Sequence, residues 1–411
     1  MTTETGIGRP VALKRRLGLP LLVLYGTGIT IGAGIYVLIG TVAGHAGVYA
    51  PWSFLLAAIV MAFTVASYIA LSARFPVSAG EAAYVKAAFR SQPLSVATGL
   101  LTVVIGVVSS SAVALGSAGY IQQFVDLPRG LIAVVIVLAL SAVAAWGILE
   151  SVLLAGIFTL IEVGGLVAII VAAVYADVPM LTALANPPPL ELVPLSGIAL
   201  GGLFAFFAFI GFEDLANVVE EAKVPQRDIP RAMVLTLLIS TTLYVLVAAV
   251  AVSVVSSERL SLSPAPLSLV FRALAGVSPA TISAIAVFAT LNTILAQMTM
   301  AARVLYGMAR EGDLPRRFAS VNPRTGTPLV ATAAIAGCII PLALLVPFAW
   351  LAESTSLATL AVFALVNLAL LRLRLRLRGE QVNAPRLTGP VWAPAVGLAT
   401  CLAMIATSLL R

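Results

Sequence analysis

Apolar runs about as long as a bilayer-crossing helix recur along the whole chain, separated by short polar or proline-bearing connections. They fall at 19–43, 51–73, 93–120, 130–147, 152–175, 196–220, 232–255, 279–308, 328–348, 350–371 and 388–410. A helix needs about 20 predominantly apolar residues to cross a membrane, so the pattern predicts eleven transmembrane helices. Between them, 186–194 (NPPPLELVP) reads as a stiff loop, because proline fixes φ and lacks a donor. Residues 256–278 form a longer connection, with room for a short lid helix. Residues 309–327 form a polar one.

Two of the runs are unlike plain spans. The first contains GTGITIGAGIYVLIG at 26–40, with Gly26, Gly28, Gly32, Gly34 and Gly40. Glycine weakens a helix interior by roughly 0.5–1 kcal/mol relative to alanine. A helix meant to break around a ligand and a helix packed closely against its neighbours both fit this segment. The sixth run, GGLFAFFAFIGFED at 201–214, again flanks an apolar stretch with glycine and ends on two carboxylates, Glu213 and Asp214. The two interrupted runs are five spans apart. Because five is odd, spans 1–5 and 6–10 would have opposite orientations in the membrane, the pattern of an inverted repeat with its site between two discontinuous helices. The chain then divides into an N-terminal tail (1–18), a first five-helix unit (19–175), a second, inverted unit (196–371) and an eleventh helix (388–410).

Composition agrees with the class: 61% of the 411 residues are hydrophobic and 10% charged, far from a soluble domain. With the N-terminus inside, all but Arg129, Arg259, Arg272 and Arg411 of the 24 Lys and Arg residues fall on the inner side. That asymmetry predicts a multi-pass inner-membrane protein with a cytoplasmic N-terminus and an outer C-terminus. The net charge of +7 then marks the cytoplasmic face and gives no reason to expect nucleic acid. The alternating RLRLRLR at 372–378 leaves an apolar helix and reads as an anchor to anionic lipid. Cys338 and Cys401 read as packing thiols. His45, the one histidine, leaves little material for zinc or histidine chemistry, and no metal or cofactor is expected.

A half-helix that starts at mid-membrane offers free N–H groups and the positive end of its dipole to an anion. One that stops there offers carbonyls to an ammonium or a metal cation. Two broken antiparallel helices present both poles at one place, matching the carboxylate and amine of an α-amino acid without any charged side chain.

IGAGIYVLIG (31–40), FPVSAGEAAYV (75–85), FFAFIGFEDLANVVEEAKVPQRDIPRA (206–232), RVLYGMAREGDLP (303–315) and NPRTGTP (322–328) resemble the amino acid–polyamine–organocation superfamily of permeases, most closely its cationic amino acid transporter branch and bacterial relatives. The resemblance covers roughly residues 19–371. It implies an all-α polytopic membrane protein with the leucine-transporter-like 5+5 inverted repeat, discontinuous first and sixth helices, one extra helix, and alternating access. It further implies that N–H groups around Gly32, Ala33 and Gly34 hold the substrate carboxylate, and that carbonyls of Thr30, Phe207, Ala208 and Ile210 take its amine. Phe207 or a neighbouring aromatic would gate the pocket. Ser109, Ser110 and Ser111 either line it or serve as packing glue. The chain departs from the usual pattern in having eleven spans where twelve are common. It also carries Glu162 at the fifth-span position where close relatives have a lysine that resembles a substitute for sodium.

The expected function is therefore secondary transport of amino acids, ion-coupled (H+ or Na+) or by exchange, with a polyamine or organic amine carrier as the alternative. A polyamine carrier would want more pocket carboxylates. A membrane enzyme would need a catalytic cluster, and Glu162, Glu213 and Asp214 have no His or Cys partner. A channel would want a ring of selectivity groups, and no GxxxxGK[ST] run suggests ATP drive. Glu213 and Asp214 fit a proton-sensitive gate or the capping of a half-helix. Glu162 fits either ion coupling or a structural carboxyl. The expected partners are the amino acid and membrane lipid.

Overall fold

The computed structural model describes residues 17–75, 80–146, 152–186, 189, 195–219, 222–276, 280–322, 327–376 and 390–409. Almost all of the N-terminal tail, most of the 186–194 connection and the last two residues of the basic run, Leu377 and Arg378, lie outside the described residues.

Each predicted apolar run is helical. The first is broken into α1 (Leu19–Ile31) and α2 (Gly34–Ala46). Then come α3 (Ala50–Arg74), a short α4 (Gly80–Phe89), α5 (Gln92–Ile121), α6 (Arg129–Trp146), α7 (Val152–Tyr175) and a short α8 (Met180–Ala185). The sixth run is α9 (Leu195–Phe207) and a four-residue α10 (Asp214–Asn217). After it come α11 (Pro225–Val254), the connecting α12 (Ser257–Leu262) and α13 (Pro266–Ala275), α14 (Ala280–Glu311), α15 (Leu329–Leu345), α16 (Phe348–Arg376) and α17 (Ala393–Leu409). Among the described residues no strand forms; Leu17 and Ala222 make an isolated parallel bridge.

Local sequence explains the ends. Proline occupies the first turn of α1, α3, α5, α11 and α13, where its missing N–H would be unpaired anyway. α13 stops at Gly276, which adopts φ 62°, a left-handed conformation that glycine takes without a Cβ clash. The lid expected in 256–278 is two helices, and α11 starts at Pro225 rather than at 232. α4 lies in what the hydropathy pattern treats as plain connection.

Among the described residues, six stretches are long and apolar enough to cross a membrane: α2–α3 taken together, α5, α7, α11, α14 and α16. Large apolar side chains stand exposed on the outside of the bundle, with Leu160 63% and Val135 58% accessible. In water such a surface would be costly; in a bilayer it faces lipid. The chain is thus a multi-pass membrane protein.

The two ends of the bundle differ. At one, the C-termini of α3, α14 and α16 meet α4 and the start of α5. Arg372 stacks 4.9 Å from the Phe89 ring, and Gln92 Nε2 donates to Asp313 at 2.9 Å. This is the basic end, carrying Arg74, Lys86, Arg303 and Arg310. At the opposite end α12 and α13 fold over α2 and α5.

Polar residues tie α17 to the bundle. Asn367 on α16 is buried; its Nδ2 donates to Thr64 Oγ1 at 3.0 Å and Phe363 O at 2.9 Å, and its Oδ1 accepts from Ser67 at 2.6 Å. A Cβ at Gly397 of α17 would lie 2.6 Å from Asn367 Oδ1. Cys401 is buried beside Thr64, at 3.8 Å, whereas Cys338 is exposed on α15, so only Cys401 packs inside. Replacing Asn367 by leucine strands the Thr64 and Ser67 hydroxyls, so Asn367→Leu is expected to cost about 1–3 kcal/mol. Thermal unfolding of detergent-purified protein checks this; a midpoint equal to the parent's would refute the network's importance.

Candidate functional site

The first break is short. Gly32 N–H donates to Gly28 O at 3.0 Å, closing α1. Ala33 N–H leaves the helix and donates to Thr293 Oγ1 on α14, also at 3.0 Å. α2 then begins at Gly34, so the N–H groups of Gly34, Ile35 and Tyr36 have no acceptor within their own helix. Two of the three expected anion donors, Gly32 and Ala33, are thus engaged inside the protein. The free donors run from Gly34 onward.

The second break is longer. Residues 208–213 form consecutive turns, with Ile210 N–H donating to Phe207 O at 3.2 Å. Gly211 takes φ 122°, a conformation closed to ordinary side chains, and a Cβ there would lie 2.5 Å from Ile29 Cγ2. Gly211 N–H donates to Glu213 Oε2 at 2.8 Å. Glu213 therefore caps the turn itself, where a cap on the second half-helix was one of the two readings.

The two breaks touch. A Cβ at Gly34 would overlap the Ala208 backbone and come within 2.7 Å of its Cβ. The Tyr244 hydroxyl on α11 lies 2.8 Å from Thr30 O and 2.7 Å from Ala208 O. Its one proton is shared between the ends of α1 and α9, at two of the four carbonyls expected to take an amine. The ring is fixed by Phe209, 4.9 Å away edge-on, and by Phe54. Phe207 and Ile210 are buried beside them, each 6% exposed.

Glu162 is fully buried on α7. Its Oε1 accepts from Asn292 Nδ2 at 3.5 Å, and its Oε2 has no partner. Its main-chain oxygen accepts from Tyr36 O–H at 2.6 Å, and Tyr36 O accepts from Tyr120 O–H. Gly165 permits this approach, since a Cβ there would lie 2.7 Å from the Tyr36 hydroxyl; Gly164 faces open space. Of the serines, Ser111 bonds Val107 O and Ile339 O, as packing glue would, and buried Ser110 leaves its hydroxyl unpaired.

A cavity of about 480 Å³ opens at the basic end and reaches in to Ile29 and Asp214, past Glu81, Lys86 and Arg303. The opposite end is closed. A Cβ at Gly40 would come 2.5 Å from Leu260 O of α12, and Leu267 N–H of α13 donates to Tyr120 Oη at 3.4 Å. The hydropathy pattern gives no sign of Tyr244, Tyr36 or Tyr120 as site residues. Their signal is weak: single hydroxyls in apolar spans, each needing a buried partner.

A family model described as amino acid permease matches residues 17–410. The chain is 30% identical over 422 residues to the branched-chain amino acid permease BcaP of Bacillus subtilis, covering 96% of this chain and 88% of that one. It is 32% identical over 390 residues to the vacuolar cationic amino acid transporter 2 of Arabidopsis thaliana, covering 88% of this chain but 60% of the longer plant protein. It is 28% identical over 405 residues to the methylthioribose transporter of Bacillus subtilis, covering 91% and 84%.

Contact between the breaks makes a glycine pair diagnostic. Gly34→Val has to part α2 from Ala208 and is expected to destabilise by about 1–3 kcal/mol, the usual range for overpacking. Gly164→Ala, with open space around it, should be neutral or slightly stabilising. Thermal midpoints of the two variants in detergent test the geometry, which fails if they shift equally.

Proposed function

This chain belongs to the amino acid permease family, and we propose that it carries a zwitterionic amino acid across the cell membrane by alternating access. It is a transporter and not an enzyme, as its named relatives are. The observation that carries the reading is the meeting of the two breaks at Gly34 and Ala208. The free N–H groups at the start of α2 face the substrate carboxylate. The carbonyls of Thr30 and Ala208 face its ammonium, with Tyr244 holding their place. An ammonium offers three donors to carbonyls that now share one hydroxyl proton. Backbone recognition of this kind leaves the side-chain pocket free to vary, in keeping with relatives named for branched-chain and for cationic amino acids.

Spans 1–5 and 6–10 are read as the two inverted units, with α17 outside them. The basic end is read as cytoplasmic from its Lys and Arg content. Its open cavity and the closed opposite end then correspond to an inward-facing state. Phe207, the last residue of α9, or a neighbouring aromatic is the candidate gate.

Glu162 is the candidate for coupling. A wholly buried carboxyl with one unsatisfied oxygen is costly, and it lies on α7, whose backbone touches the first turn of α2 beside the first break. It suits a proton, or a cation shared with backbone carbonyls.

Two measurements test this reading. Uptake into liposomes should be competed by free amino acids but at least tenfold less by their methyl esters or N-acetyl derivatives; equal competition by esters would favour an amine carrier. Under imposed pH and sodium gradients, Glu162→Gln should lose gradient-driven accumulation yet keep exchange. Accumulation at the parent level would make Glu162 a structural residue.

A further inference from the structure

Beside the large cavity lies a second chamber of about 20 Å³, lined by Glu81, Glu213, Asp214, Gln297 and Thr359 with apolar Ile105, Val362 and Phe363. The volume is about one water molecule's probe sphere. Its walls come from α4, the sixth-run break, α14, α16 and α5. Gln297 Oε1 and Thr359 Oγ1 are both buried, 3% and 1% exposed at the residue level, and both lack a partner. Two unsatisfied polar atoms on a water-sized void call for a ligand that hydrogen-bonds, since leaving each unmade costs about 1–3 kcal/mol.

We propose that this chamber holds one ordered water and one exchangeable proton, shared among Glu81, Glu213 and Asp214 and supplied from the basic-end cavity. Glu81, Asp214, Thr102 and Met300 line both spaces, so Glu81 stands between the open solvent and the chamber. Net transfer is one proton: each hop forms an O–H bond on the acceptor oxygen as it breaks one on the donor. The chamber is too small for a guanidinium or an ammonium-bearing side chain. Among the described residues no group of three or more His, Cys, Asp or Glu side chains has the geometry to hold a metal.

The charged groups that line the chamber are all acidic and come from two elements, α4 and the sixth-run break. From α3, Tyr68 O–H donates to Glu81 Oε1 at 2.8 Å. From α4 come Glu81 itself and Tyr84, whose ring packs edge-on against Tyr68. The sixth-run break adds Glu213 and Asp214. α5 presents Thr102 and Ile105, α14 presents Gln297, and α16 presents Thr359; none of these is charged. Lys86, Arg303, Glu311 and Asp313 line the outer cavity. Burial pushes the Glu81 carboxyl above its ordinary range, while hydrogen bonds, including that from Tyr68, pull it back. Occupancy by the proton therefore falls as pH rises through that raised value. Three ionised carboxylates at one void repel. Proton binding relieves the repulsion and lets α4 and the break close together. This inference rests on the transport reading only for that consequence; the site itself is independent of it.

Infrared difference spectroscopy on the substrate-free, full-length protein in detergent tests the site. Acidification should raise a protonated-carboxyl band that shifts in D₂O. Glu81→Gln, whose amide oxygen still accepts from Tyr68, should diminish that band, and Gln297→Leu should move its midpoint. A band and midpoint identical to the parent's in both variants would overturn the proposal. So would loss of the band on replacing choline by sodium at fixed pH, which would make the ligand a cation. In liposomes, Glu81→Gln should flatten the dependence of exchange on pH at the cavity side at least threefold while keeping exchange. A parent protein that moves no amino acid would sink the transport reading and leave the infrared result standing.

Discussion

A backbone that leaves the helix inside a membrane has no water to turn to, so its amide groups must find partners in the protein. Everything near the centre of this bundle follows from that requirement. Thr293 takes the Ala33 N–H, Glu213 takes that of Gly211, and Tyr244 serves two carbonyls with one hydroxyl. Each partner comes from a different helix or turn, so the breaks are held by α14, by α11 and by the sixth-run turn itself. The first N–H groups of α2 and one oxygen of Glu162 are among the groups left unpaired, and they are chemistry available to a ligand or an ion.

Close approach is the second half of the same constraint. Gly34 on Ala208, Gly28 on Thr159, Gly26 on Leu215 and Gly165 on Tyr36 leave no room for a side chain. Without a hydrophobic drive between helices in lipid, small residues and interhelical hydrogen bonds supply the packing. The Asn367 network shows the same means at the periphery, where it joins α16 to α3.

Much of this was legible in the sequence. Helix positions follow from apolar run length, because the bilayer fixes that length, and both breaks follow from clustered glycine in apolar surroundings. Glu162, Glu213 and Asp214 stand out because carboxylates at membrane depth are rare. What could not be read is pairing across helices. Nothing local to Tyr244 says that it reaches Thr30, more than 200 positions away in the chain, and nothing local to Gln297 or Thr359 says that they share a void with Glu81. α4 was hidden for another reason: its ten residues are too few and too polar to stand out in a hydropathy scan. The donors at the first break shift by a residue or two because which N–H is spent depends on Thr293, not on glycine count.

One small contact has a mechanical meaning. Lys223 N–H donates to Leu17 O at 2.8 Å, joining the segment that leads into α1 to the stretch that leads into α11. α1 is therefore not a free rod pivoting at Gly32. It is a lever pinned at its far end to the opposite half of the molecule. A swing of α1 away from the bundle must either snap that pin or drag the base of α11, and with it the anchor of Tyr244, along the same arc.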